Sequence, residues 1–393
     1  MYDVLIIGGG PVGSQVAYRL AGMGYDVAVV EERGKPVGRV CCTGIISQVC
    51  ASSFAIDEGV ILRRVRSARL FSPSSKLIRL WRRENQTCII DRSAFDMAMA
   101  SLAQSKGALY MLNSSARDVK ADGDRIVVEV AHDGKGLKLE ARAAVIATGF
   151  GTRLPRELGK IGDFVIGAQA EVETRGIEEV EVYLGQAIAP GFFAWLVPTL
   201  PGRALVGLLS RRHPEFYLKK LMSYLYAQGK VTSAENSFDC RGVTLKPLAR
   251  TYGERLLVVG DAAGQVKPIT GGGIYYGLLC ADIAARNLGR ALEKDALSTR
   301  ALASYEREWK RKLGQELRVG YWARRLYGRL NDRQIDRLFD IIKANGLDGA
   351  LLKADDLPFD WLGQAILRLV GQKVLSRALA AMKVPFRIDK RLP

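Results

Sequence analysis

Histidine is nearly missing from this 393-residue chain, which carries only His132 and His213. Their scarcity argues against a histidine-rich metal centre or a Ser-His-Asp relay. His132 falls in the turn-like stretch His132-Asp133-Gly134 and His213 directly precedes Pro214, so both read as surface residues. Cys41, Cys42, Cys50, Cys88, Cys240 and Cys280 form neither paired Cys-x-x-Cys ligands nor the framework of a small secreted domain. A reducing compartment and no bound metal are expected. No run approaches the ~18 consecutive apolar residues of a membrane span. The first strand-like run opens at Tyr2 without a basic leader or cleavage site, which points to a cytoplasmic protein or one peripheral to a membrane. Internal repeats and low-complexity linkers are absent too.

What is there is an ordinary globular composition, 48% hydrophobic and 25% charged, with a length that suits two domains. Lys and Arg number 58 against 41 Asp and Glu, a formal charge of +17. Residues 301–393 carry 19 of those cations and 11 of the acids, so the excess is spread along the chain. An anionic partner is expected, either an acidic protein or an anionic membrane surface. No nucleic acid is expected, because no zinc spacing, RNA-binding signature or basic run with interleaved aromatics occurs.

The strongest local signal lies in the first thirty residues. Asp3 to Ile7 reads as a buried strand, Gly8-Gly9-Gly10-Pro11-Val12-Gly13 opens a helix, and a second strand from Asp26 to Val30 ends in Glu31. This is a βαβ dinucleotide fingerprint in its required context. Gly8 permits the tight turn, Gly10 lets backbone approach a diphosphate, and Gly13 allows close helix packing. The diphosphate would sit on the helix N-terminus, and Glu31 would accept from the ribose hydroxyls.

Residues 256 to 264 form another apolar strand running into Gly260-Asp261, followed by Pro268 and by Gly271-Gly272-Gly273-Ile274 at the head of a helix to about Leu292. Asp261 is placed to bind ribityl or phosphate hydroxyls, and the glycines let backbone N–H groups face a flavin ring. No second strand-glycine-helix unit follows. One resident FAD is therefore expected, without a separate NAD-binding domain.

At this point the chain resembles the p-hydroxybenzoate hydroxylase-like flavoprotein superfamily and, within it, the geranylgeranyl reductase family. Asp91-Arg92-Ser93-Ala94-Phe95-Asp96 looks like the superfamily's Arg-x-x-Phe-Asp helix, whose arginine lies near FAD, and Ala147-Thr148-Gly149 like its Ala-x-Gly turn beside the cofactor. Cys42-Thr43-Gly44-Ile45-Ile46-Ser47 resembles the reductases' Cys-x-Gly-x-x-Ser segment near the flavin. Pro190 to Pro198 resembles their Pro-x-x-Tyr-x-Trp-x-Phe-Pro substrate motif, with Phe193 at the tyrosine position and Val197 at the phenylalanine position.

The resemblance implies an α/β fold with a discontinuous Rossmann-type FAD-binding domain, residues 1–155 and 250–295, within which 71–87 could belong to the substrate domain. An inserted β-sheet substrate domain would span 156–249 and a helical C-terminal region 296–393. It implies an FAD-dependent reductase that saturates double bonds of a polyprenyl lipid or diphosphate, with electrons from NAD(P)H or from an acidic carrier such as ferredoxin. Cys42 would be the proton donor or alkene-positioning residue, Gly44, Phe193, Trp195 and Pro198 the substrate wall. Gly8, Gly10, Gly13, Glu31, Arg92, Gly149, Gly260, Asp261, Gly271, Gly272, Gly273 and Ile274 would hold the cofactor, while Cys41 reads as structural. The alternatives are an aromatic monooxygenase of the same superfamily and a non-catalytic FAD- or lipid-binding protein. An iron–sulfur electron-transfer dehydrogenase is excluded, since nothing after Cys280 could ligate a cluster.

Overall fold

Three parallel apolar strands lie side by side because each is buried on both faces. Alternate residues of β1 (Tyr2–Ile7) serve two cores: Val4 and Ile6 pack under helices, Leu5 and Ile7 under a β-hairpin. β1 pairs with β2 (Val27–Val30) on one side and β11 (Lys135–Ile146) on the other. The sheet reads β18 (Tyr252–Gly253), β19 (Leu256–Val258), β11, β1, β2, β8 (Leu109–Met111), and β9 (Ser114–Asp122) with β10 (Arg125–His132) forms the hairpin that extends from β11. Residues 1–34, 41–151, 158–159, 161–234, 237–344 and Asp360 are described by the computed structural model.

Helices α1 (Pro11–Gly22), α5 (Ile274–Glu293) and α6 (Thr299–Tyr327) build the opposite layer around Val16, Leu20, Tyr276, Cys280, Leu288 and Trp309. α3 (Arg92–Ser105) packs beside α1. Asp91 caps α3 by accepting from Ser93 N and Ala94 N at 2.8 and 3.0 Å.

A second, mostly antiparallel sheet has the order β16 (Val231–Ala234), β12 (Phe164–Thr174), β15 (Arg203–Ser210), β14 (Phe193–Pro198), β13 (Val180–Leu184), β5 (Ser67–Phe71), β6 (Leu77–Trp81), with β17 (Asp239–Thr244) pairing beside β12. Residues 67–81, flanked on both sides by strands of a separate three-stranded sheet, therefore donate two strands here. Leu218, Leu221 and Leu225 of α4 (Pro214–Ala227) cover one face, and Trp195, Val197 and Leu209 cluster on the other. α7 (Asp332–Ala344) closes over β5 and β6 through Ile335 and Phe339. A three-stranded sheet, β3 (Ile45–Ser47), β7 (Thr87–Ile90), β4 (Ile61–Val65), joins the layers, with α2 (Gln48–Ser53) following β3.

Among the described residues no helix is long and apolar enough to cross a membrane. The apolar stripes at Leu362, Ala365, Ile366 and Leu369 and at Val374, Ala378 and Met382 lie outside them.

Candidate active site

Parallel register brings the distant motifs together. Ile7 sits opposite Val30 and Ile146, and Ile146 opposite Val258, so four strands end at one level. Gly8, Glu31, Ala147 and Gly260 consequently line one crevice, at the carboxyl ends of the strands where open α/β sheets bind ligands. The cavity there measures about 780 Å³.

The glycines have different duties. A Cβ on Gly8 would lie 2.6 Å from the carbonyl oxygen of Ala147, and Gly8 holds φ at +105°, so only glycine makes this turn. A Cβ on Gly13 would overlap Gly8 O; Gly13 packs the helix against the strand and does not line the cavity. A Cβ on Gly10 would meet no protein atom, because it would project into the cavity itself. That cradle lies at the head of α1, which has Pro11 in its first turn, no acidic residue there and no side-chain cap. Its free N–H groups suit a diphosphate.

Glu31 is buried at the end of β2 and shaped by backbone: Gly9 N donates to Oε2 at 2.7 Å and Arg33 N to Oε1 at 3.1 Å. Asp261 lies in a 3-10 turn, Gly260–Ala263, and its Oδ1 occupies the space a Cβ on Gly273 would need. Gly271, Gly273 and Ile274 line the cavity beside it, whereas Gly272 does not. These residues suit FAD: a diphosphate cradle, a ribose-level carboxylate and a glycine-lined helix head.

Cys42 and Arg92 meet at the same wall, where the guanidinium reaches the thiol and also binds Asp96 at 3.0 and 3.2 Å. Burial works against the Arg92 charge, but Cys42 and Asp96 outweigh it and hold its proton above the ordinary value. Asp96 is raised by burial and only partly relieved by Arg92. The Cys42 sulfur accepts from Gly44 N at 3.5 Å, and Gln169 Nε2 donates to Cys42 O at 3.3 Å. Gly44, at φ +68°, lets this turn lie against Ile90 O, so it shapes the wall without lining it.

Phe193 and Trp195 share one strand face, with ring centroids 5.9 Å apart. Neither they nor Pro198 line the cavity. Their apolar cluster reaches it through Leu209 and Val243, which lie 3.6 and 3.4 Å from the position of a Cβ on Gly271. Trp195 covers Gly207, where any side chain would collide with the indole.

Several participants carried no sequence signal. Cys41, read as structural, lines the cavity beside Cys42, and burial pushes its thiol up to about 12. Arg241 lines the cavity from β17, and Gln169 of β12 braces Cys42 O without lining it. Asp96 could have been found: it stands four residues after Arg92, on the same helix face. Asp360 is buried against Lys267, Ser47 and Tyr276, whose hydroxyl donates to Asp360 O at 2.7 Å. Among the described residues no cluster of three or more His, Cys, Asp or Glu could hold a metal ion.

The profile of the pyridine nucleotide-disulphide oxidoreductase family matches residues 2–182. A digeranylgeranylglycerophospholipid reductase from Methanocaldococcus jannaschii is 30% identical over 369 residues, 90% of this chain and 93% of that protein. The chain belongs to the geranylgeranyl reductase family of FAD-dependent oxidoreductases. A solved geranylgeranyl bacteriochlorophyll reductase-like protein from Thermoplasma acidophilum superposes with a TM-score of 0.83 at 25% identity, covering 97% of this chain and 99% of that one. A p-nitrophenol 4-monooxygenase from Pseudomonas putida shares the fold at a TM-score of 0.69 and 15% identity, with 95% and 98% covered.

Proposed function

We propose that this protein saturates carbon–carbon double bonds of a polyprenyl chain and that Cys42 holds the proton destined for the second carbon. Similarity to a prenyl-phospholipid reductase over nine-tenths of the chain supports the substrate class. The single observation that carries the residue roles is the convergence of Cys42, Arg92 and Ile274 on one cavity beside the apolar cluster around Trp195. Reduced FAD supplies the hydride when bound.

A trisubstituted alkene is neither polarised nor acidic, so the protein must hold it close and dry. Leu209 and Val243 continue the apolar surface from the cofactor loop toward Phe193 and Trp195, whose rings offer area with few rotamers to freeze. Pro198 ends that strand, and the turn at Gly44 keeps Cys42 on the cavity wall. Phe193 brings no hydroxyl and the Cys41 thiol donates to Gly167 O at 3.6 Å, which leaves the Cys42 thiol, within reach of Arg92, as the proton source on this wall. Electrons would come from a reduced nicotinamide or an acidic carrier such as ferredoxin. The +17 charge suits such a carrier and an anionic membrane surface.

The test is anaerobic incubation of the dithionite-reduced holoprotein with a panel of prenyl lipids, some bearing a phosphate or diphosphate, read by mass. Increments of two hydrogens are expected. Hydroxylation of a phenol with NADPH and oxygen, without any such increment, would transfer the protein to the monooxygenases. Bound FAD with neither activity would leave a binding protein.

A further inference from the structure

Arg241 belongs to the second sheet, yet its side chain lines the cofactor cavity. Its position is set by two glycines. Gly242 lies so close under Phe150 that any Cβ would overlap the ring, which clamps β17 onto the loop after β11. Gly149, held at φ +75° in that loop, leaves room for Arg241 Nη2 in the space a Cβ would occupy. The guanidinium is thus laid against the turn beside the cofactor rather than free to swing into solvent.

No hydrogen bond or ion pair joins it to another described residue. Asp96 lies within reach of its charge, but that carboxylate is already engaged by Arg92. A cation confined in a half-buried wall, with no counter-ion of its own among the described residues, is poised for an anion that arrives from outside. Its neighbours identify the end of the cavity: its charge acts on Cys41 and Asp96, adjoining Cys42 and Arg92, and Val243, two residues along the same strand, lies 3.4 Å from the position of a Cβ on Gly271 at the flavin-facing loop. The flavin ring is the part of FAD whose charge changes during the reaction, becoming negative on reduction.

We infer that Arg241 is a cofactor-facing cation which favours the reduced, anionic flavin over the oxidised, neutral one, so that the substrate sheet helps to set the redox poise of the cofactor bound by the other sheet. The inference holds whichever alkene is reduced.

Anaerobic spectroscopic titration against a reference dye reads the midpoint potential of FAD-loaded parent, R241Q and R241K proteins, with the affinity for oxidised FAD measured alongside. R241Q is expected to keep its FAD, with an oxidised-state affinity within an order of magnitude of the parent. Its preference for reduced over oxidised flavin should fall at least tenfold, a shift of about 30 mV to more negative potential for a two-electron couple. R241K should recover most of that shift, because it restores the charge. An R241Q protein with the parent potential would overturn the inference. So would equal loss of oxidised and reduced FAD, which would assign Arg241 to general cofactor retention. R241M serves as a second neutral variant should glutamine disturb folding, and an unshifted potential there refutes the inference equally.

Discussion

Gly10 and Cys42 carry the two sharpest residue-scale expectations. Gly10→Leu should fold, since its side chain would meet no protein atom, but should lose bound FAD because the chain would fill the diphosphate cradle. The purified variant is expected to be colourless at the flavin absorbance maximum and not reconstitutable. Cys42→Ala removes a thiol on the cavity wall without opening a buried core void, so FAD content and Tm should stay near the parent values. Alkene reduction should fall, in kcat more than in KM, if the thiol acts mainly in the transition state. Reduction at the parent rate would make Cys42 a wall residue only. Such roles were legible as residue types in motifs, and the glycines most of all, because their demand on φ and on space is local. Arg241 was not legible: nothing in the series Asp239-Cys240-Arg241-Gly242 distinguishes a surface arginine on an edge strand from one folded over a distant turn.

Elements join the two sheets through charged groups that no local pattern announces. Asp163 accepts from Arg211 at 2.6 and 3.1 Å and from Tyr321 of α6 at 2.9 Å, tying the start of the second sheet to the C-terminal helices. The Arg211 hydrogen bonds, with help from Tyr321, hold the carboxyl below the ordinary aspartate value of 3.8. A depressed folded-state pKa means the unfolded chain binds the proton first as pH falls. The brace therefore contributes above pH 3.8 and is lost as pH falls through the lower folded value. Thermal melts of the parent should lose stability in that window, and Asp163→Asn should be flatter there and less stable at neutral pH. A parallel pH profile in both proteins would show that the brace contributes nothing. The buried Lys267–Asp360 pair links the loop before α5 to the C-terminal region, and nothing in the sequence around Asp360 marks it as a partner. Asp360→Ala should cost about 3–5 kcal/mol, the usual penalty for breaking a buried pair, measured by denaturant titration. A loss within about 0.5 kcal/mol, typical of surface substitutions, would show the pair is not structural.

For the whole molecule, the +17 charge makes a single prediction about partners. Binding to anionic vesicles should weaken steeply as salt rises, since the attraction is screened over ~8 Å at physiological ionic strength. Equal binding to neutral and anionic vesicles at every salt concentration would remove the membrane surface as a partner and leave an acidic electron carrier.

By itself the sequence determined the βαβ unit, the cofactor class and the family, because each rests on contiguous residues whose spacing has one good physical use: glycine where a turn or a diphosphate excludes a side chain, and continuous apolar runs where a strand is buried on two faces. The tertiary structure alone decided what meets what. Cys42, Arg92, Asp96 and Arg241 come from three separate stretches of the chain, a loop, α3 and β17, Trp195 rests on Gly207 across a strand pair, and residues 67–81 leave the three-stranded sheet on either side of them to join the second sheet. These are long-range pairings set by strand register and packing, and no local spacing encodes them.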